Sequence, residues 1–268
     1  MTDHGNMFGA YEFFQISKKY DGDQNPLIKP IIGIEAYVAP STRKSRVQEF
    51  WGTSRDAGDP DAEGGKDVSG GGRYTHMTMW AKDSEGLHNL FRLSSLASYE
   101  GYYMKPRMDR ELMGQYSGGI IASTGCPSGE VQTRLRLGQF EEACQAASDY
   151  RDIFGRENYF CELMDHGVPI EKQVRSDLLK LAKKLDIPLL VTNDSHYVTE
   201  DQADAHDSLL CVGVGRNKDD PNRFRFNGSG YYIKSSEQMR ALFPDHPEAC
   251  DNTLLLTEMI GSYDEVFK

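Results

Sequence analysis

Side chains that bind metals recur at the ends of short apolar runs. Asp3 and His4 close the first such run, Glu35 sits inside Ile32-Gly33-Ile34-Glu35-Ala36-Tyr37, and His76 lies within Tyr74-Thr75-His76-Met77-Thr78-Met79. Cys126 follows Thr124-Gly125, and Asp194 and His196 follow Leu189-Leu190-Val191. Any one of them alone has an ordinary structural reading: a hydrogen-bonded histidine, an outward strand carboxylate, a core cysteine. Their recurrence at successive strand ends favours one shared metal centre. Imidazole, carboxylate and thiolate together suit zinc, with manganese or iron as rivals. Asp194 and His196 stand two apart in an expected extended segment, which would send both side chains from one face. Cys126 precedes Pro127 and Glu130, the arrangement expected of a helix start, whose positive end would lower the thiol pKa and make a thiolate ligand.

These residues need a scaffold that brings strand ends together. Candidate strands are 31–38, 74–81, 119–123, 159–164 and 188–192, each short and rich in Ile, Val, Tyr or Thr. Between and around them, helical periodicity runs over 7–20, 85–99, 139–154, 171–185 and 245–259. On the first helix Phe8, Tyr11, Phe14 and Ile16 are expected on the buried face, and on the second Leu87, Leu90, Phe91 and Leu96. Such alternation gives parallel sheets or α/β barrels, in which active residues come from the carboxyl ends of the strands. Residues 52–73 hold seven glycines and five acidic residues with almost nothing apolar, and read as a flexible surface insertion. His88, His206 and His246 fall on helices or a cap and read as surface residues, while Asp165 and His166, at a strand end, are candidate substrate contacts.

With 38% apolar residues, 12 Phe and 14 Tyr in 268 residues, the chain is a folded protein and not a disordered one. It has neither a membrane-spanning apolar run nor the blocks of a signal peptide, so a cytoplasmic location is expected. Five cysteines without a CxxC pair indicate neither a disulfide framework nor a zinc ribbon. The net charge of −11 opposes non-specific association with nucleic acid unless basic groups cluster. The two basic clusters, 43–46 and Arg223-Phe224-Arg225, read as solvated loops. Both ends look cut, since an expected strand end opens the chain and no terminating element follows Ile260, so an internal piece of a longer protein is expected.

The runs TDHGNM, IIGIEAYVAP, HMTMWAKDSEGLHNLFRLSSLAS, YYMKPRMD, TGCPSGE and NDSHY resemble the PHP (polymerase and histidinol phosphatase) domain of bacterial DNA polymerase III alpha subunits, most like the actinobacterial form. The resemblance runs the length of the chain. It implies a distorted seven-stranded α/β, TIM-like barrel whose first strand is missing here. Matched motif by motif, His4, Glu35, His76, Cys126, Asp194 and His196 fall on metal ligands, with Asp194, His196 and His4 as the catalytic set. Further ligands, a His-x-His pair and an acidic residue, would lie upstream of Thr2, leaving the site here incomplete. The resemblance also implies a barrel domain over 1–245 and, over 246–268, the start of a connection to a polymerase region, which would use magnesium. Where relatives keep their ligands the domain is similar to a metal-dependent 3′–5′ proofreading exonuclease acting on the DNA primer 3′ end. Where ligands are lost it is a module that docks a separate proofreading subunit. Sliding clamp and clamp loader would be further partners. A free-standing PHP phosphoesterase is the remaining alternative, disfavoured by the length of these matches.

Overall fold

The computed structural model describes residues 1–19, 28–52 and 68–267. A seven-stranded sheet forms the centre, with the order β1-β2-β3-β5-β6-β7 and β4 added to β2. Its strands are β1 (Thr2–His4), β2 (Gly33–Val38), β3 (Thr75–Ala81), β4 (Arg107–Met108), β5 (Ile120–Ser123), β6 (Tyr159–Leu163) and β7 (Leu189–Val191). All six residues of β2 and all five of β6 are buried, as expected of strands covered on both faces. Among the described residues no ladder joins β1 to β7, so the sheet is seen open between its two ends.

The expectation of an all-parallel sheet is corrected at β3, which runs antiparallel to both β2 and β5. A parallel neighbour needs a long crossover, usually a helix. In the described part of the connection from β2 to β3 the only helical segment is α2 (Ser69–Gly72), a single turn. On the far side, α3 (Ser84–Gly101) returns the chain to β2, where β4 pairs, before β5 comes alongside β3. The pairs β1–β2, β5–β6 and β6–β7 are parallel.

Helices cover the sheet. α1 (Ala10–Ser17) buries Ala10, Phe14 and Ser17. Their spacing of four and three defines one helical face. Phe8 is 92% exposed and Tyr11 and Ile16 are also exposed, correcting the face read from the sequence. α3 starts at Asp83, whose carboxylate accepts from the Gly86 amide at 2.9 Å. Gly86 lets this turn lie against backbone: a Cβ there would stand 1.7 Å from the Gly119 carbonyl. α4 (Arg110–Gln115) is capped by Asp109. α5 (Glu130–Arg136), α6 (Phe140–Phe154) and α7 (Pro169–Leu185) pack against one another. α8 (Ala203–Val214) buries only Cys211, and α9 (Ser236–Leu242) starts at a capping box from Ser235 to Gln238. α10 (Pro247–Met259) packs on β7, and beyond it the buried Tyr263 donates its hydroxyl to the Ala81 carbonyl at 2.6 Å. Residues 247–263, expected to begin a connection to a further region, are thus packed on the sheet.

Neither basic cluster is wholly solvated. Arg43 is buried, with its guanidinium on Asp109 at 2.9 Å and Glu100 at 2.7 Å. Arg223 is buried and forms a bidentate pair with Asp207, both contacts 2.6 Å. In each case a fixed carboxylate partner outweighs the hydration of the charge. Of the 52–73 segment, residues 53–67 lie outside the described residues, while Val68 is buried and corrects the reading that none of it reaches the core.

Candidate metal centre

His4 ends β1 and Glu35 lies directly opposite it in the β1–β2 register. His76 is the second residue of β3 and pairs with Tyr37. Because β3 is antiparallel, its beginning lies at the rim where the parallel strands end, so the reversed strand still delivers its histidine to the site. Glu35 Oε2 accepts from His4 Nδ1 at 2.9 Å, and Oε1 meets His76 Nδ1. Cys126 Sγ lies 3.4 Å from His76 Nδ1. One donor atom from each of Glu35, His76 and Cys126 falls within 4.8 Å of the others. Donors about 2.0–2.3 Å from one ion stand at most about 4.6 Å apart, so the three residues fit a common dication with little adjustment.

Asp194 and His196 complete the rim from the loop after β7, with Asp194 Oδ1 3.3 Å from His196 Nε2. The His196 ring stands 5.7 Å from that of His4. The expected extended segment is not what brings them together: Asp194 has a φ of +42°, a left-handed conformation that non-glycine residues seldom adopt and that clusters at functional sites. Hydrogen bonds donated to the carbonyls of residues 230–232 hold the loop, with the His196 amide on the Tyr231 carbonyl at 2.8 Å and the Asn193 amide group on the Tyr232 carbonyl at 2.6 Å. His4, Glu35, Cys126, Asp194 and His196 all line one open cleft of about 790 Å³, and His76 joins it through Glu35 and Cys126.

Glu35 is held well below the usual carboxylate range: its two imidazole partners outweigh burial, which acts the other way. The reciprocal hydrogen bond raises the His4 pKa. Cys126 corrects the helix-start argument, because α5 begins only at Glu130 with Gly129 as its cap. Burial, followed by the charges of Glu35 and Asp194, pushes the thiol well above its ordinary value. A bound dication would reverse that balance.

Glu162 was not singled out in the sequence. It is buried on β6, lines the same cleft, and accepts from the hydroxyls of Ser123 and of Thr192, the latter at 2.6 Å. Burial raises its pKa. The available signal was an acid inside Phe160-Cys161-Glu162-Leu163, one residue from the strand end. His206, read as a surface residue, is half-buried with its ring 5.3 Å from that of His196. Asp165 and His166, read as substrate contacts, have structural partners. His166 is enclosed, with Nδ1 on Glu171 at 2.5 Å and Nε2 on the Asn193 carbonyl at 2.8 Å, and Asp165 pairs with Arg175 at 2.8 Å. His88 is exposed, as expected.

Residues 1–166 match the PHP domain family. The chain belongs to that family. Along its whole length it is 59% identical to DNA polymerase III subunit alpha of Saccharopolyspora erythraea and 54% identical to that of Mycobacterium leprae. Over 258 residues it is 42% identical to the same subunit of Treponema pallidum. The chain spans 22% of the length of each of the first two relatives and 20% of the third. The resemblance of the TDHGNM, TGCPSGE and NDSHY motifs to this subunit is therefore borne out. Among the described residues no helix is long and apolar enough to cross a membrane.

Proposed function

We propose that this PHP domain is a metal-dependent phosphodiesterase, a 3′–5′ exonuclease that proofreads within a bacterial replicative DNA polymerase. The observation that carries the reading is the convergence of nitrogen, oxygen and sulfur donors, from five separate places in the chain, on one open cleft. Zinc fits the donor set best, with manganese or iron as rivals. Clustered dications supply neutralisation of the phosphate and activation of water at neutral pH.

Glu35, His76 and Cys126 would hold one ion, and His4, Asp194 and His196 would hold a neighbouring one. Glu35 and Asp194 balance the added positive charge. His4, Asp194 and His196 line the cleft, where through a bound ion they would position the scissile phosphate and the attacking water. The open edge between β1 and β7 is where an upstream strand bearing the His-x-His ligands would close the barrel. Primer DNA, sliding clamp, clamp loader and a possible proofreading subunit are the partners this reading carries, in the cytoplasm, with polymerisation at a separate magnesium site outside this chain.

Asp194→Asn in the full-length protein is the test. Mismatch excision should fall by orders of magnitude while primer extension persists, because the two activities use separate metal sites. Excision that survives the change would transfer the role to the docking-module reading.

A further inference from the structure

Beside the metal cleft lies a second cavity of about 170 Å³ that the metal centre does not use. Its walls include Tyr197, His206, Arg225 and Phe226. These residues belong to a stack of rings. His206 lies on Phe226 at 5.2 Å and 9°, Phe226 on Tyr231 at 4.6 Å and 26°, and Tyr231 on His166 at 4.0 Å and 12°. The base of the stack is fixed, since both His166 ring nitrogens are engaged by Glu171 and the Asn193 carbonyl. The cavity is held shut on another side by the bidentate Arg223–Asp207 pair, which ties the 223–226 segment to α8. That pair also neutralises Asp207. The charge left at the cavity is that of Arg225, which is exposed and makes no ion pair among the described residues.

His196, which lines the metal cleft, packs behind two rings of the cavity wall. His196 stands 5.3 Å from the His206 ring, 4.7 Å from the Phe226 ring and 6.1 Å from the Tyr231 ring, and on the metal-centre side it meets Asp194 and His4. A phosphate at the metal centre and a flat aromatic group beside His206 are thus separated by little more than one imidazole. A nucleotide has that build: a phosphate, a sugar, and a base with a π-face. Stacking on aromatic side chains is how proteins bind bases without reading sequence, and an arginine beside the stack adds attraction for the backbone.

We infer that the His206–Phe226 cavity is a subsite for the base of the 3′-terminal nucleotide, with Arg225 steering the neighbouring phosphate. The inference rests on the phosphodiesterase reading for its substrate. It also explains why α8, which buries so little of itself, is fastened to the 223–226 segment: the helix carries one wall of the subsite.

The test uses the metal-loaded full-length protein and two single-stranded oligonucleotides, one ending in an ordinary 3′ nucleotide and one in an abasic residue. The wild type should excise the ordinary terminus about tenfold faster or more in kcat/KM. A 2-aminopurine placed at the 3′ end should be quenched on binding. His206→Ala should remove most of both effects, and His206→Phe, which keeps a ring, should restore them. Arg225→Ala should raise KM at low salt and weaken its salt dependence. Equal excision of both termini without quenching overturns the subsite and leaves the phosphodiesterase reading standing. Quenching that depends on His206 with no excision of either terminus supports the subsite and overturns the phosphodiesterase reading. Metal content is measured in the same preparations: if His206→Ala loses metal, the ring serves to hold His196 and the subsite is overturned.

Discussion

Glu35→Gln keeps the shape of the side chain and removes its charge at the point where three donors meet. Glu35 is 8% exposed, it bonds His4 and His76, and its carboxylate shares a 4.8 Å cluster with His76 and Cys126. At an effective dielectric constant of about 20, two unit charges 4 Å apart attract by about 4 kcal/mol. A dication bonded to the carboxylate is closer and doubly charged, while the weaker amide oxygen recovers part of the loss, so about 4 kcal/mol serves as a working floor. That corresponds to roughly a thousandfold loss of affinity. The assay is competition between the protein and a chromophoric chelator for zinc, with urea unfolding of the metal-free forms alongside to show that the fold is kept. In the metal-free protein the raised His4 pKa should move down, since the Glu35 hydrogen bond is its largest cause, and proton NMR would report it. A change in zinc affinity below tenfold, with the fold intact, would refute the placement of an ion at Glu35.

Two further outcomes probe the scaffold. The pKa of Glu162 is raised in the folded state, so the protonated form is the one the fold favours. The wild type should lose stability relative to Glu162→Gln as pH rises from the ordinary glutamate range through the raised value, seen as diverging urea midpoints in metal-free protein at pH 4.5 and 7.5; a constant difference would refute a neutral-favouring site. Tyr263→Phe removes the hydroxyl that donates to the Ala81 carbonyl and faces the Ile32 amide. It should cost about 1–2 kcal/mol in urea unfolding, and no change would show that the segment after α10 contributes nothing through this contact.

The strands around the candidate site were legible because each is a short apolar run, and β2, β3, β5, β6 and β7 fall inside the expected segments. The direction of β3 was not legible, since periodicity says nothing of which neighbour a strand meets; it follows from the route of α3 and β4, and β4 is too short to leave a pattern. The six candidate positions were picked out by residue type at or near strand ends, and the fold brings all six side chains to one rim. Their electrostatics were not: the Cys126 thiol is governed by burial and two carboxylates distant in sequence, and Asp194 reaches His196 through a left-handed residue instead of an extended run. Arg43, Arg223 and His206 were misread for one shared reason. Polar residues in loops and on helices look solvated until the partner the fold supplies is known, and here the partners are Asp109, Asp207 and His196.

Crystals of the full-length protein grown with zinc, with diffraction recorded on both sides of the zinc absorption edge, test the central claim most directly. The expected result is an anomalous peak in the cleft about 2.0–2.3 Å from a Glu35 oxygen, a His76 nitrogen and the Cys126 sulfur, with Asp194 and His196 turned toward the same cluster. A cleft without an anomalous peak at saturating zinc, or an ion bound elsewhere with Cys126 left as a free thiol, would contradict it.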